Sequence, residues 1–124
     1  MAKVLIVEDD QFLSRMYKKK FEVAGFEVEV AGDGEEGLSK MRTTRPDIVL
    51  MDIMMPKLNG IDAIVQAKSD LQIKNIPVLV LSNLSNTDDA QSAVKNGAMG
   101  YLVKSDFTPS QVVEKVKGII GTEA

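Results

Sequence analysis

Five short apolar runs punctuate the chain, and between them apolar residues recur at a helical period. The runs predict strands over residues 3–7, 26–30, 46–51, 77–81 and 99–103. The periodic segments predict helices over residues 11–24, 34–43, 60–69, 87–96 and 109–120. In the first helix Leu13, Met16, Tyr17, Phe21 and Ala24 share one face. In the last, Val112, Val113, Val116, Ile119 and Ile120 form an apolar stripe. Helix boundaries are marked too. Asp33 with Glu36 has the spacing of a capping box, and so does Thr108 with Gln111, where Pro109 takes the first helical position. Gly25 and Gly97 sit where left-handed caps end helices.

Regular alternation of strand and helix implies an α/β fold with a parallel sheet covered on both faces. Strands 1, 3 and 4 are continuously apolar, as doubly covered strands should be. Strand 2 alternates instead: Phe26, Val28 and Val30 are interleaved with Glu27 and Glu29. A charged, half-wet strand belongs at an edge, where charge also discourages edge-to-edge pairing. An edge position for strand 2 fits a doubly wound five-stranded sheet of order 2-1-3-4-5, the flavodoxin-like topology. Strands 1 and 3 are then neighbours, and the crevice at their carboxyl ends is the topological switch point.

Chemistry gathers at that crevice. Glu8, Asp9 and Asp10 follow the first apolar run, and Asp52 follows the third. Ser82 ends the fourth and Lys104 the fifth. Carboxylates ~5 Å apart repel by roughly 3 kcal/mol per pair at an effective dielectric near 20. A proton, the Lys104 ammonium or a divalent cation could offset that repulsion. Oxygen ligands with no histidine or cysteine select a hard cation, Mg²⁺ or Mn²⁺. Asp9 and Asp52 can ligate directly, Glu8 through water, and a backbone carbonyl just after Asp52 can complete the shell. Asp10 has a second reading, as the cap of the first helix. Asp52 has none, because a proline-containing loop follows it. A carboxylate nucleophile, a metal, a hydroxyl and an ammonium around one point are the parts that receive a phosphoryl group.

Composition narrows the field. The 124 residues suit one domain of ordinary globular make-up, 44% apolar and 27% charged. The absence of cysteine and histidine excludes disulfides, thiolate or imidazole metal sites, and a phosphohistidine carried in this chain. A net charge of −3 argues against a nucleic-acid partner. No signal peptide or membrane-spanning stretch is evident, so a cytoplasmic location without membrane contact is expected. The whole chain, residues 1–124, reads as a single domain with no output domain after the last helix.

With these segments in place the sequence resembles a response regulator receiver domain, the CheY-like phosphoacceptor of two-component signalling. The resemblance spans essentially the whole chain. It rests on residues 4–10 (VLIVEDD), 47–56 (DIVLMDIMMP), Asn59-Gly60, 77–82 (PVLVLS) and 97–104 (GAMGYLVK). It implies that Asp52 accepts a phosphoryl group from the phosphohistidine of a histidine kinase or phosphotransfer protein. It further implies that Glu8, Asp9, Asp52 and the Met54 carbonyl organise Mg²⁺. Ser82 and Lys104 would contact the phosphoryl oxygens, with Tyr101 as the switch aromatic. The face formed by helix 4, strand 5 and helix 5 would then change for a downstream protein target. Such a domain is a signalling module rather than an enzyme, though it assists its own phosphorylation and dephosphorylation. It is expected as a monomer, with dimerisation on phosphorylation as the alternative.

Four positions depart from the family pattern. Ser105 replaces the usual proline after the lysine, Asn83 the usual small residue after the hydroxyl, and Met54 and Leu84 replace residues that are often polar. A cis bond before a non-proline residue costs about 2.5–4 kcal/mol, so Lys104–Ser105 is expected trans. Competing readings fit less well. A flavodoxin-like flavin protein would need free backbone amides, not three acids, in its first loop. An aspartate-based phosphatase would want an acid at the Met54 position. A non-phosphorylated interaction module would not need Asp9, Asp52, Ser82 and Lys104 together.

Overall fold

The computed structural model describes residues 2–55 and 58–120. Five parallel strands, β1 (Lys3–Val7), β2 (Glu27–Ala31), β3 (Ile48–Asp52), β4 (Val78–Ser82) and β5 (Gly100–Val103), form one sheet in the order β2-β1-β3-β4-β5. The order expected from the glutamates of the second strand is the one observed. Five helices connect the strands: α1 (Gln11–Val23), α2 (Gly34–Thr44), α3 (Gly60–Ser69), α4 (Thr87–Lys95) and α5 (Pro109–Ile120). Short 3₁₀ turns at Leu84–Asn86 and Lys104–Asp106 follow β4 and β5. Sequence periodicity had no means of marking these turns, which are shorter than one helical repeat.

Two apolar layers sandwich the sheet. Every residue of β3 and β4 is buried, whereas β5 is half-buried throughout, as its edge position requires. On one face Tyr17, Phe21, Val112, Val113 and Val116 of α1 and α5 cover Val4, Ile6, Ile48, Leu50, Leu79 and Leu81. On the other, Leu38, Met41, Ala63, Ile64, Ala67, Ala90 and Ala93 cover Leu5, Val7, Val49, Met51, Val78 and Val80. Fully burying a large aliphatic side chain contributes roughly 1.5–3 kcal/mol, so this double packing fixes strand order and register together.

The helix ends follow local chemistry. Thr108 and Gln111 close a reciprocal box, with the Gln111 N–H donating to Thr108 Oγ1 (3.2 Å) and the Thr108 N–H to Gln111 Oε1 (2.8 Å). Asp33 caps α2 through the Glu36 N–H, while Glu36 reaches one residue further back than expected, to the Gly32 N–H. Gly25 and Gly97 have positive φ, as expected of them. Arg45 does as well, at φ 50°, ending α2 without a glycine to announce it. No helix among the described residues is long and apolar enough to cross a membrane.

Candidate functional site: a carboxylate cluster bridged by Lys104

Strand register brings the predicted residues to one end of the sheet. In the β1–β3 ladder Val7 stands opposite Met51, so Glu8 and Asp52, each the next residue along, leave the sheet side by side. Asp52 is the last residue of β3, one position later than the predicted strand end, and is paired with Leu81 of β4. Ser82 pairs with Val103, which delivers Lys104 from the neighbouring edge strand. A close approach fixes the far side. Gly60 opens α3 with its N–H donating to the Ile53 carbonyl (3.0 Å), and a Cβ there would stand 2.9 Å from the Asp52 carbonyl oxygen. Glycine is required by that backbone contact.

Glu8, Asp9 and Asp52 present carboxylate oxygens that all lie within 4.8 Å of one another. Glu8 and Asp52 are buried and Asp9 is exposed. Lys104 Nζ bridges the two buried groups, 3.0 Å from Glu8 Oε1 and 3.3 Å from Asp52 Oδ1. Burial pushes the Glu8 carboxyl up, Asp52 pushes it further, and Lys104 only partly opposes them, so it titrates at about 7 rather than 4.5. Burial by itself would lower the Lys104 ammonium, but Asp52 and Glu8 outweigh it and hold the group above its ordinary value. Two of the three remedies inferred from the sequence meet this repulsion, the raised proton affinity of Glu8 and the Lys104 ammonium. The oxygen-only donor set fits the third, a hard divalent cation.

The other predicted residues fall into place with differences. Asp10 takes its capping role: Oδ1 accepts from the Phe12 and Leu13 N–H groups at 2.9 and 3.2 Å. The Asp10 N–H in turn donates to Glu8 Oε2 (3.2 Å) and orients it. Ser82 is fully buried at the end of β4, one residue after the Leu81 that pairs with Asp52, and its Oγ donates to the Asn83 carbonyl (2.7 Å). Tyr101 is half-buried against the α2–α4 side of the core. Met54 and Leu84 are exposed. All peptide bonds among the described residues are trans, Lys104–Ser105 included. Pro56, within one of the segments that carry the resemblance, lies outside the described residues.

Sequence reading overlooked Tyr17. On α1 it looked like one more member of the apolar stripe, and it is 4% exposed. Burial raises its phenol, and Lys104, Glu8 and Asp52 all act on it electrostatically. Its only advance signal was a hydroxyl on an otherwise apolar helix face.

Known proteins share this fold. The family model for the response regulator receiver domain matches residues 4–117. The chain belongs to the response regulator receiver family. It is 34% identical over 115 residues to the DNA-binding response regulator MtrA of Mycobacterium tuberculosis, covering 93% of this chain and 49% of MtrA. It is likewise 34% identical over 118 residues to the alkaline phosphatase synthesis regulator PhoP of Bacillus subtilis, covering 95% of this chain and 48% of PhoP. The chain spans about half the length of the curated relatives it matches. Among solved structures, the chemotaxis response regulator CheY4 of Vibrio cholerae aligns with a TM-score of 0.87 at 33% identity, over 96% of this chain and 98% of that one. A Francisella response regulator receiver domain aligns at 0.85 and 33%, over 97% of both chains. The five-stranded α/β architecture is therefore that of CheY-like receivers, and the chain is a two-component signalling module.

Proposed function

We propose that Asp52 is the phosphoacceptor of this receiver. The supporting observation is the Lys104 bridge at 3.0 and 3.3 Å, which holds an ammonium beside a buried carboxylate at the mouth of the sheet. An Asp52 carboxylate oxygen attacks phosphorus, the phosphorus–nitrogen bond of a partner's phosphohistidine breaks, and the imidazole leaves with the electron pair. Lys104 exchanges a carboxylate partner for a phosphoryl oxygen and so stabilises charge in the transition state. Ser82 does the same by turning its hydroxyl from the Asn83 carbonyl toward Asp52.

Glu8, Asp9, Asp52 and the Met54 carbonyl would hold Mg²⁺, or Mn²⁺ in its stead, and the ion would neutralise charge on the transferring group. A cation held there would favour the Glu8 carboxylate over its protonated form. Rotation of Ser82 vacates space beneath β4, Tyr101 follows it inward, and the α4–β5–α5 face changes for a downstream protein. The donor is a histidine kinase or a phosphotransfer protein, and the domain acts in the cytoplasm as a monomer without contacting nucleic acid. The DNA-binding named for MtrA belongs to a protein twice the length matched here.

Incubation with a small phosphodonor and Mg²⁺, followed by intact mass measurement, tests the assignment. The wild-type chain should gain one phosphoryl group, and Asp52→Asn should gain none. Equal labelling of the variant would place the acceptor elsewhere.

A further inference from the structure

The start of α2 touches the loop that leads away from Asp52. Gly34 is the first residue of α2 and is buried. Its φ is not positive, as those of Gly25 and Gly97 are. Alanine would therefore suit its backbone, and helix propensity by itself would favour alanine there. The neighbouring loop forbids it. A Cβ on Gly34 would run into the Leu58 carbonyl oxygen and stand 3.0 Å from both the Leu58 carbonyl carbon and the Leu58 Cβ. In place of a Cβ the glycine presents a Cα–H to that oxygen, a weak donor at an approach that a side chain would block.

Both sides of the contact are held in place. The Glu36 N–H donates to Asp33 Oδ1 (2.8 Å) and the Gly32 N–H to Glu36 Oε1 (2.7 Å), so the chain is tied down before and after Gly34. Leu58 packs its side chain on the core layer that α2 and α3 cover. The next residue, Asn59, caps α3 through the Asp62 N–H (2.9 Å). At the other end of the loop the Ile53 N–H donates to the Leu81 carbonyl (3.2 Å), and the Ile53 carbonyl accepts from Gly60 (3.0 Å). Met54 follows Ile53 with an exposed side chain, which does little to fix its own carbonyl. The path of the chain between Ile53 and Leu58 does that instead.

We propose that Gly34 is a positioning residue for the metal site: by letting Leu58 seat on the start of α2, it sets the path of the loop and with it the place of the Met54 carbonyl. The inference rests on the role proposed above for that carbonyl as a Mg²⁺ ligand. A side chain at position 34 pushes Leu58 away from α2, the loop shifts with it, and the carbonyl no longer meets an ion held by Asp9 and Asp52. Loss of a group that orients a metal ligand costs about 10- to 100-fold in affinity, and one carbonyl among several oxygens belongs at the lower end.

Magnetic resonance of the full chain, first with a chelator and then titrated with Mg²⁺, separates this role from a merely structural one. Without metal, Gly34→Ala should move the carbonyl-carbon resonances of Met54 and Leu58 and leave those of α5 in place. Mg²⁺ should then bind it about tenfold more weakly than the wild type. Leu58→Ala loosens the same contact from the other side, leaves α2 intact, and should weaken Mg²⁺ in the same direction. Val116→Ala opens a cavity in the opposite core layer, and should lower the urea midpoint with Mg²⁺ affinity unchanged. Met54 resonances that stay put in Gly34→Ala, or wild-type affinity in Leu58→Ala, would overturn the proposal alone. An equal loss of affinity in Val116→Ala would do so too, because affinity would then follow global stability. A wild-type chain that binds no Mg²⁺ would overturn the metal reading and this proposal with it.

Discussion

Glu8 ties stability to pH in a direction opposite to that of most carboxylates. Its folded value is about 7, against 4.5 when unfolded, so the folded state binds the proton more tightly. The stabilisation is complete below pH 4.5 and is lost as pH rises through 7. One tenfold step in proton affinity is worth about 1.4 kcal/mol, so the full effect is ~3 kcal/mol. Between pH 5.5 and 8 the folded-to-unfolded ratio falls about 25-fold, or ~2 kcal/mol. Other shifted groups do not imitate this. Lys104, raised above 10.5, stabilises uniformly at lower pH, and Asp70, lowered from 3.8, is already ionised. Urea denaturation in the presence of a chelator, at pH 5.5 and 8, measures the difference. Glu8→Gln, neutral at both pH values and still able to accept from Lys104, should flatten it. A wild-type chain equally stable at the two pH values, or a Glu8→Gln variant that keeps the slope, would refute the account of Glu8 as a carboxyl that holds its proton near neutral pH.

Three further outcomes are expected. Asp9→Ala should weaken Mg²⁺ binding more than Glu8→Ala, because a direct ligand loses more than a water-mediated one; a metal titration with the reverse order would exchange their roles. Leu84→Glu or Met54→Asn should shorten the life of the phosphorylated form about 10- to 100-fold (~1.4–3 kcal/mol), because each puts a hydrogen-bonding group where an exposed apolar side chain cannot orient the attacking water. Decay of both variants at the parent rate under saturating Mg²⁺ would end that argument. Gly60→Ala should destabilise by about 1–3 kcal/mol, since its Cβ would press on the Asp52 carbonyl and the Ile53 backbone at 2.9 Å; unchanged urea midpoints would show that the loop yields.

Local pattern alone was enough for the element order, the edge position of β2 and the residues gathered at the sheet's carboxyl end. The reason is physical. Burial on both faces leaves β1, β3 and β4 no choice but continuous apolar runs, and a polar residue ending such a run must be accommodated by chemistry. Glu27 and Glu29 disclosed the edge in the same way. Other properties depend on contacts between segments far apart in the chain. Lys104 meets Glu8 across 96 residues, and only that packing sets the Glu8 proton affinity and places the phenol of Tyr17 in the same field. The orientation of Ser82 toward Asn83, rather than Asp52, is a choice between two hydrogen-bond partners that residue type does not make. The contact of Gly34 with Leu58 is likewise tertiary, because it joins the start of α2 to the loop after β3. Periodicity reports which face of an element is buried; it carries no record of which charges the fold then brings together.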